Sequence, residues 1–141
     1  AAETFKAALD IDPAHAQGCN GLGAALLREG KSAEAEPYLR KAVELDADFV
    51  DAKTNLGAAL LAQNRFRDAI KALEDALKQK PNDADIHTNL GAAYLGLGDD
   101  TRAREHFFEA LRLDPRHVTA QYYLAQLTRA AQNKKEEADE R

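Results

Sequence analysis

The stretch that decides the fold is Asn55–Leu61, NLGAALL, which returns as NLGAAYL at Asn89–Leu95 and as GLGAALL at Gly21–Leu27. Each copy begins 34 residues after the previous one. Residues 50–83 and 84–117 are identical at 12 of 34 positions, whereas unrelated segments of this Ala- and Leu-rich composition would share about three. A repeat of this length indicates an array of small supersecondary units.

Prolines and small residues keep the same period. Pro13, Pro81 and Pro115 lie on the 34-residue grid, with Ala47 at its remaining position. A second pattern, in which a large apolar residue stands between two alanines, recurs in phase. Its columns are Ala1, Ala35, Ala69 and Ala103; Phe5, Leu39, Leu73 and Phe107; and Ala8, Ala42, Ala76 and Ala110. These spacings are helical, so each unit is predicted to have a helix just before its proline.

Two helices are predicted in each unit, because apolar residues at helical spacing run through the seven-residue motif quoted above and again through the Ala pattern. The first helices are predicted at Ala16–Glu29, Val50–Gln63 and Ala84–Leu97, and the second helices at Ser32–Leu45, Phe66–Gln79 and Asp100–Leu113. Gly30, Asn64 and Gly98 are predicted to end the first helices, since Gly and Asn accept a left-handed conformation. Ser32 and Asp100 are predicted N-caps.

A 34-residue helix-turn-helix unit with Leu-Gly in its first helix, the Ala pattern in its second and a closing Pro resembles the tetratricopeptide repeat. The resemblance covers nearly the whole chain. It implies an all-α fold, a right-handed superhelical α-solenoid whose first helices line the concave side. The chain departs from the family pattern at Cys19, Lys53 and His87, where the family favours a large aromatic residue, and at Ala47. These departures predict looser packing of the first helices.

The whole chain, residues 1–141, is predicted to be a single tetratricopeptide domain. Its parts are residues 1–15, a second helix without its partner; residues 16–49, 50–83 and 84–117, three full repeats; and residues 118–141, a capping helix with a charged tail. The unpartnered N-terminal helix would expose Phe5 and Leu9, which suggests a homo-oligomer formed through this helix. Pro37 is expected to bend the second helix of its unit, because proline removes a backbone hydrogen bond.

Gly23, Gly57 and Gly91 lie inside the predicted first helices, where glycine costs roughly 1 kcal/mol relative to alanine. Three such costs at one phase imply close approach of the second helix. The two large apolar residues that end each seven-residue copy have a different explanation. Leu60 is predicted to face the core, whereas Leu61 points about 120° away from the core centre.

Composition excludes several classes of function. Hydrophobic residues are 45% and charged residues 30% of the chain, which is typical of a folded soluble protein. The formal net charge is −5 and no Lys/Arg cluster is present, so nucleic-acid binding is not expected. No apolar run approaches the roughly 18 residues of a membrane span. No secretory signal is visible, which favours a cytoplasmic location. A lone Cys19 excludes an intramolecular disulfide.

No enzyme chemistry is predicted. The sequence has no HExxH, P-loop or GxSxG motif, and no catalytic, cofactor-binding or metal-binding residue is assigned. Cys19 is interpreted as a small buried residue. The four histidines are interpreted as surface or edge residues: His15, His87, His106 and His117. The charged residues of the first full unit's second helix are interpreted as a solvated face: Glu34, Glu36, Arg40, Lys41 and Glu44.

The candidate binding surface is the side of the first helices that faces away from the core, which we call the first-helix stripe. Its members are Gln17, Asn20, Ala24, Leu27 and Arg28 in the first full unit; Asp51, Thr54, Asn55, Ala58 and Leu61 in the second; Asp85, Thr88, Asn89, Ala92 and Leu95 in the third; and Tyr122 in the last helix. The Leu column would form an apolar ladder. It could equally serve only to pack successive first helices.

The resemblance suggests a role for the Asn column. In the repeat domain of O-GlcNAc transferase, groove amides are thought to hydrogen-bond the backbone of an extended peptide, and Asn55 and Asn89 occupy the matching column. The alternative is that these amides serve local packing. Co-chaperone members of the family clamp an acidic chaperone tail with Lys, Asn and Arg, and that set is missing here. With Asp51 and Asp85 at the rim, a neutral or basic partner is favoured.

The leading hypothesis is therefore a protein–protein interaction scaffold that binds an extended peptide in its concave groove. One alternative is the substrate-recognition or regulatory arm of a larger enzyme similar to a glycosyltransferase or sulfotransferase. Another is a self-assembling module. The partner, the parent protein and the oligomeric state are not determined by the sequence.

Overall fold

The computed structural model describes residues 15–140, and in that range the chain is all α. The helices are α1 (Ala16–Arg28), α2 (Ser32–Leu45), α3 (Val50–Ala62), α4 (Phe66–Gln79), α5 (Ala84–Gly96), α6 (Asp100–Leu113) and α7 (Val118–Asp139). The predicted fold class of tetratricopeptide helix pairs is confirmed. The second helices have the predicted bounds, and each first helix ends one residue earlier than predicted. The predicted helix in residues 1–15 lies almost entirely outside the described residues.

The chain divides into two compact units at Pro81 and Asn82. In the first unit, α1 packs against α2 and α3 packs against α4, while α3 also contacts α2 and, less extensively, α1. In the second unit, α5 packs against α6, and α7 contacts α6 more than α5. None of these seven helices is both long enough and apolar enough to cross a membrane.

The residues that were predicted to stop the first helices adopt the expected left-handed conformation. Gly30, Asn64 and Gly98 have φ values of 78°, 61° and 82°, in the left-handed region. In the first pair, the Gly30 amide donates to the Leu27 carbonyl at 3.0 Å and the Lys31 amide donates to the Leu26 carbonyl at 2.8 Å. This is a Schellman motif, and the other two pairs repeat it. The motif satisfies carbonyls that a helix end otherwise leaves unpaired.

The predicted N-caps of the second helices are wrong by one residue. Ser32 and Asp100 are the first helical residues, and the caps are Lys31 and Asp99. The Asp99 carboxylate accepts a hydrogen bond from the Arg102 amide at 3.1 Å, whereas Lys31 makes no side-chain cap. Asp99 and Asp100 are adjacent and both are capping residue types, so the sequence alone did not show which of them is the cap. The helix α2 runs from Ser32 to Leu45 through Pro37.

The histidines His15 and His117 occupy the N-cap column of the first helices. The Nδ1 atom of His15 accepts from the Gly18 amide at 3.0 Å, and the Nδ1 atom of His117 accepts from the Ala120 amide at 3.2 Å. In the same column, Asp83 caps α5 through the Ile86 amide at 3.0 Å. These two histidines therefore start helices, which the prediction of an edge position did not specify.

The glycine column is explained by side-chain packing across each helix pair. A Cβ atom built on Gly57 would lie 2.5 Å from Leu73 Cγ, and one built on Gly91 would lie 2.5 Å from Phe107 Cε1. Leu73 and Phe107 are fully buried. The predicted close approach of the second helix to the first is thus confirmed. We call the space above each of these glycines the glycine notch, and the large apolar residue of the second helix occupies it. The flanking alanines of the second helices, such as Ala69, are also fully buried.

Candidate functional site

Most of the first-helix stripe is accessible on its own unit. The exposed members are Gln17, Arg28, Asp51, Asp85 and Tyr122. The half-buried members are Asn20, Ala24, Leu27, Thr54, Asn55, Ala58, Leu61, Asn89 and Leu95. In each first helix the exposed stripe members are charged or polar residues near a helix end, and the half-buried members lie along the middle of the helix and at its end.

Two residues depart from the predicted stripe. Thr88 is 2% exposed and Ala92 is 8% exposed, so neither presents its side chain on the surface in this structure. The Thr88 hydroxyl donates to the Ala84 carbonyl at 2.8 Å, and the Thr54 hydroxyl donates to the Val50 carbonyl at 2.9 Å. Both hydroxyls therefore bond the preceding turn of their own helix. That local bond explains why a threonine is tolerated at a buried helical position.

The amides of two neighbouring first helices meet in the first unit. Asn55 Nδ2 donates a hydrogen bond to Asn20 Oδ1 at 2.9 Å, joining α3 to α1. Within residues 15–140, Asn20 Nδ2 and Asn55 Oδ1 have no protein partner. The pair therefore presents one donor and one acceptor together. The sequence placed Asn20 and Asn55 in adjacent columns, so it did not predict that they would bond each other.

The two leucines that end the second seven-residue copy, Leu60 and Leu61, differ in exposure as predicted. Leu60 is 2% exposed and packs in the core, whereas Leu61 is half-buried on the stripe. Leu27 and Leu95 are half-buried in the same column. Each of these three residues also supplies a carbonyl oxygen to the Schellman motif at the end of its helix. The Leu column thus stands at the place where each first helix ends.

Each carboxylate at the rim of the stripe has a neighbouring side chain that can donate a hydrogen bond. Asp51 Oδ1 lies 3.9 Å from Lys80 Nζ, and Asp85 Oδ1 lies 2.7 Å from His117 Nε2. Because His117 Nδ1 accepts from the Ala120 amide, the neutral ring carries its proton on Nε2 and donates it to Asp85. The Asp85 contact joins the N-terminal ends of α5 and α7. Both carboxylates remain exposed to solvent.

Aromatic residues continue the surface on α7. Tyr122 is 59% exposed and packs edge-on against Tyr123, with ring centroids 5.6 Å apart. Tyr123 stacks on the buried Phe107, at a centroid distance of 5.2 Å and an interplanar angle of 9°. Tyr123 thus anchors this part of α7 on α6, while the ring of Tyr122 stays available to solvent.

Glu36 is not part of a solvated face, contrary to the prediction. Its side chain is 15% exposed, and it accepts hydrogen bonds from Arg40 Nε at 2.8 Å, Arg65 Nη1 at 2.6 Å and Gln63 Nε2 at 3.0 Å. Burial by itself raises the pKa of Glu36, but the hydrogen bonds from Arg40, Gln63 and Arg65 outweigh it and hold the pKa below its usual value. This network ties α2 to the turn between α3 and α4.

A second cluster that the sequence did not predict joins α5 to α6. The Nδ1 atoms of His87 and His106 are 3.1 Å apart, and His87 is only 8% exposed, so the prediction of a surface residue is wrong for His87. The His106 ring stacks on Tyr94 at 5.5 Å, and the Arg102 guanidinium lies 5.6 Å from the Tyr94 centroid. The expected looser packing at His87 is thus replaced by ring contacts. Spacing alone could not show this, since His87 and His106 belong to different columns.

The remaining candidate positions have packing roles. Cys19 is 1% exposed, as predicted for a small buried residue. Lys53 Nζ donates to Gln79 Oε1 at 2.8 Å across α3 and α4. Among residues 15–140, no three His, Cys, Asp or Glu side chains lie close enough together to hold a metal ion.

Comparison with known proteins assigns the repeat. Models of the tetratricopeptide repeat match residues 26–93 and 60–127, and another model of this repeat matches residues 1–48. No curated protein matches the chain in sequence.

Solved structures of tetratricopeptide proteins share the fold. YrrB, a TPR protein with an unusual peptide-binding site, is 25% identical with a TM-score of 0.79 over 86% of this chain. The chain spans 63% of the length of YrrB. MamA from Desulfovibrio magneticus RS-1 is 23% identical, with a TM-score of 0.83 over 98% of this chain and 78% of its own. The first TPR domain of human RPAP3 is 22% identical, with a TM-score of 0.79 over 88% of this chain and 98% of its own.

The family models and the packing of the first-helix glycines against the buried second-helix residues indicate the same repeat. Repeats of this type generally form non-catalytic scaffolds for protein interaction. The chain belongs to the tetratricopeptide repeat family.

Proposed function

We propose that the chain binds an extended segment of a partner protein along the first-helix stripe. The observation that carries the proposal is the Asn20–Asn55 pair, which leaves one amide donor and one carbonyl acceptor on the stripe. An extended peptide presents alternating carbonyl and amide groups, so a donor and an acceptor held side by side match its backbone. The half-buried Leu27 and Leu61 lie on the same stripe, about two helical turns further along α1 and α3, and supply apolar contacts there.

The proposed partner segment is neutral or basic. The chain has a formal net charge of −5, and exposed carboxylates stand at the rim of the stripe in both units. An acidic tail would meet Asp51 on the first unit or Asp85 on the second, and Arg28 is the cation that the stripe offers among its described members. Electrostatic complementarity of this kind selects partners and raises the association rate more than it raises affinity. A short peptide in a preformed groove is expected to bind with an affinity on the order of micromolar.

Asn55 and Asn89, which share a column of the stripe, differ in what their replacement tests. Asn55 bonds Asn20, so its replacement changes packing as well as the surface. The half-buried Asn89 has no protein partner for its side chain within residues 15–140, so Asn89→Ala removes a stripe amide without breaking an internal bond. Asn133, exposed in the last helix, offers a matched control.

The test is a peptide selected from a random display library against the wild-type chain, with its dissociation constant measured by calorimetry. Asn89→Ala is expected to weaken the selected peptide about fivefold or more, the effect of losing one hydrogen bond. Asn133→Ala should leave the dissociation constant unchanged. Equal affinity for wild type and Asn89→Ala, together with equal affinity for Asn55→Ala, would overturn the proposal.

A further inference from the structure

The second full repeat contains a cavity that no stripe residue lines. The cavity has a volume of about 420 Å³, within the range of small-ligand pockets, and it opens on the side of the second helices. Its apolar lining comes from Leu56 and Leu60 of α3 and from Ala72 of α4. Leu56 and Leu60 are buried residues of the core, so the cavity reaches from the surface to the core.

The repeat itself shows what kind of group fits this cavity. On the 34-residue grid, the positions on either side of Ala72 are Tyr38 and His106. In the third repeat, the His106 ring stacks on Tyr94 at 5.5 Å with an interplanar angle of 5°. The equivalents of His106 and Tyr94 in the second repeat are Ala72 and Leu60, and both line the cavity. The space is therefore where the neighbouring repeats carry a ring.

Some cationic groups that line the cavity have hydrogen-bond donors that no carboxylate uses. Its carboxylates already have cations beside them, with Asp68 Oδ2 at 3.1 Å from Arg65 Nη2 and Asp75 Oδ1 at 3.9 Å from Lys78 Nζ. Arg40 uses Nε for Glu36, and its two terminal nitrogens have no partner within the described residues.

Lys71 also lines the cavity, and within residues 15–140 its ammonium group has neither a hydrogen bond nor an ion pair. The available charge at this opening is thus positive, although the whole chain is acidic.

We propose that this cavity binds an aromatic ring that carries a carboxylate close to it. The ring would occupy the space beside Leu60 and Ala72, and the carboxylate would meet Arg40 and Lys71. Such a ligand is either a free aryl carboxylic acid or a tyrosine or phenylalanine beside an acidic residue of a polypeptide. The site is separate from the first-helix stripe, so the proposal does not depend on the function proposed for the stripe.

The test titrates 4-hydroxyphenylacetate into the isotopically labelled chain and follows backbone amide shifts by NMR. Saturable shifts are expected at Leu60 and Ala72. Ala72→Tyr should abolish them, because the introduced ring fills the cavity, and Ala72→His is a second variant if the tyrosine perturbs folding. Ala33→Tyr, at an exposed position of α2, is the matched control and should bind like wild type. Shifts that survive in both folded Ala72 variants would overturn the proposal.

Separate experiments test the role of the ligand's carboxylate and whether the ligand is a small acid or part of a polypeptide. Lys71→Gln is expected to weaken binding about threefold, whereas Lys41→Gln, an exposed lysine on α2, should not change it. Tyramine, which carries a cationic aminomethyl group in place of the carboxylate, should bind at least threefold more weakly; equal or tighter binding of tyramine would contradict the proposal. The peptide acetyl-Asp-Tyr-Asp-amide distinguishes the sources. Tighter binding of the peptide than of the free acid indicates a polypeptide, and weaker binding indicates a small acid.

Discussion

At the residue scale, the notch glycines have the most specific role in the fold. Gly23, Gly57 and Gly91 recur 34 residues apart, and at each of them a Cβ atom would overlap a buried side chain of the second helix. Gly30 differs, because no atom lies within 4 Å of its Cβ position and its φ of +78° is what favours glycine there. Glycine is thus required for two different reasons within one repeat, lack of space for a side chain and a left-handed backbone conformation.

Gly57→Ala is expected to destabilise the chain by about 1–3 kcal/mol, because the new methyl group displaces Leu73. Leu73→Ala alone should cost about 2–5 kcal/mol. The double variant should cost less than the sum, since each change relieves the defect of the other. Urea unfolding of the wild type, the two single variants and the double variant measures this coupling. Strictly additive costs would contradict the packing of Leu73 against Gly57. Gly30→Ala serves as a control whose cost Leu73→Ala should not alter.

Replacing Asn55 and replacing Asn89 are expected to change the unfolding free energy by different amounts. Asn55→Ala should lower the unfolding free energy by about 1 kcal/mol, since it breaks the hydrogen bond to Asn20. Asn89→Ala should change it by no more than about 0.5 kcal/mol. Denaturant unfolding of the two variants measures the difference. A larger loss for Asn89→Ala would mean that Asn89 has a structural role.

At the element scale, side-chain hydrogen bonds fix how helices meet. Glu36 joins α2 to the turn that precedes α4, and the His117–Asp85 contact joins the starts of α5 and α7. Both contacts cross from one helix pair to a helix of the next. They supplement the apolar packing of the notches, which acts mainly within a pair.

Glu36→Gln should lower the melting temperature by about 2–4 °C at pH 7, because the amide cannot accept from Arg40 and Arg65 as the carboxylate does. The pKa of Glu36 is lowered in the folded state from its ordinary value of 4.5, so its contribution is fully present above that value. The contribution is lost as the pH falls through the lowered pKa. Wild type and variant should therefore melt more alike below about pH 4. A constant difference from pH 7 to pH 3 would contradict this role.

His117→Ala should cost about 1 kcal/mol, because it removes the N-cap of α7 together with the contact to Asp85. His117→Asn is the matched control, since asparagine caps well but is too short to keep both contacts. Thermal unfolding at neutral pH should rank wild type and His117→Asn above His117→Ala. If His117→Asn were as unstable as His117→Ala, the cap would not be the main contribution.

At the scale of the whole molecule, the sequence period predicted much of the fold and only part of the site. Helix positions followed from local spacing, and Gly30 and Asn64 marked ends because their backbone preferences are local. The bond between Asn20 and Asn55 was not predictable, because it depends on how two first helices lie beside each other. The cavity at Ala72 is visible in the sequence only as a missing ring in a column.

The central claim is that the first-helix stripe, rather than the outer surface of the second helices, holds an extended partner segment. The most direct measurement maps backbone amide shifts of the labelled chain on addition of the selected peptide. The largest shifts are expected on stripe residues such as Asn20, Asn55 and Leu61, and second-helix residues such as Arg40 and Lys71 should be unaffected. Shifts concentrated on the second helices, with the stripe unchanged, would contradict it.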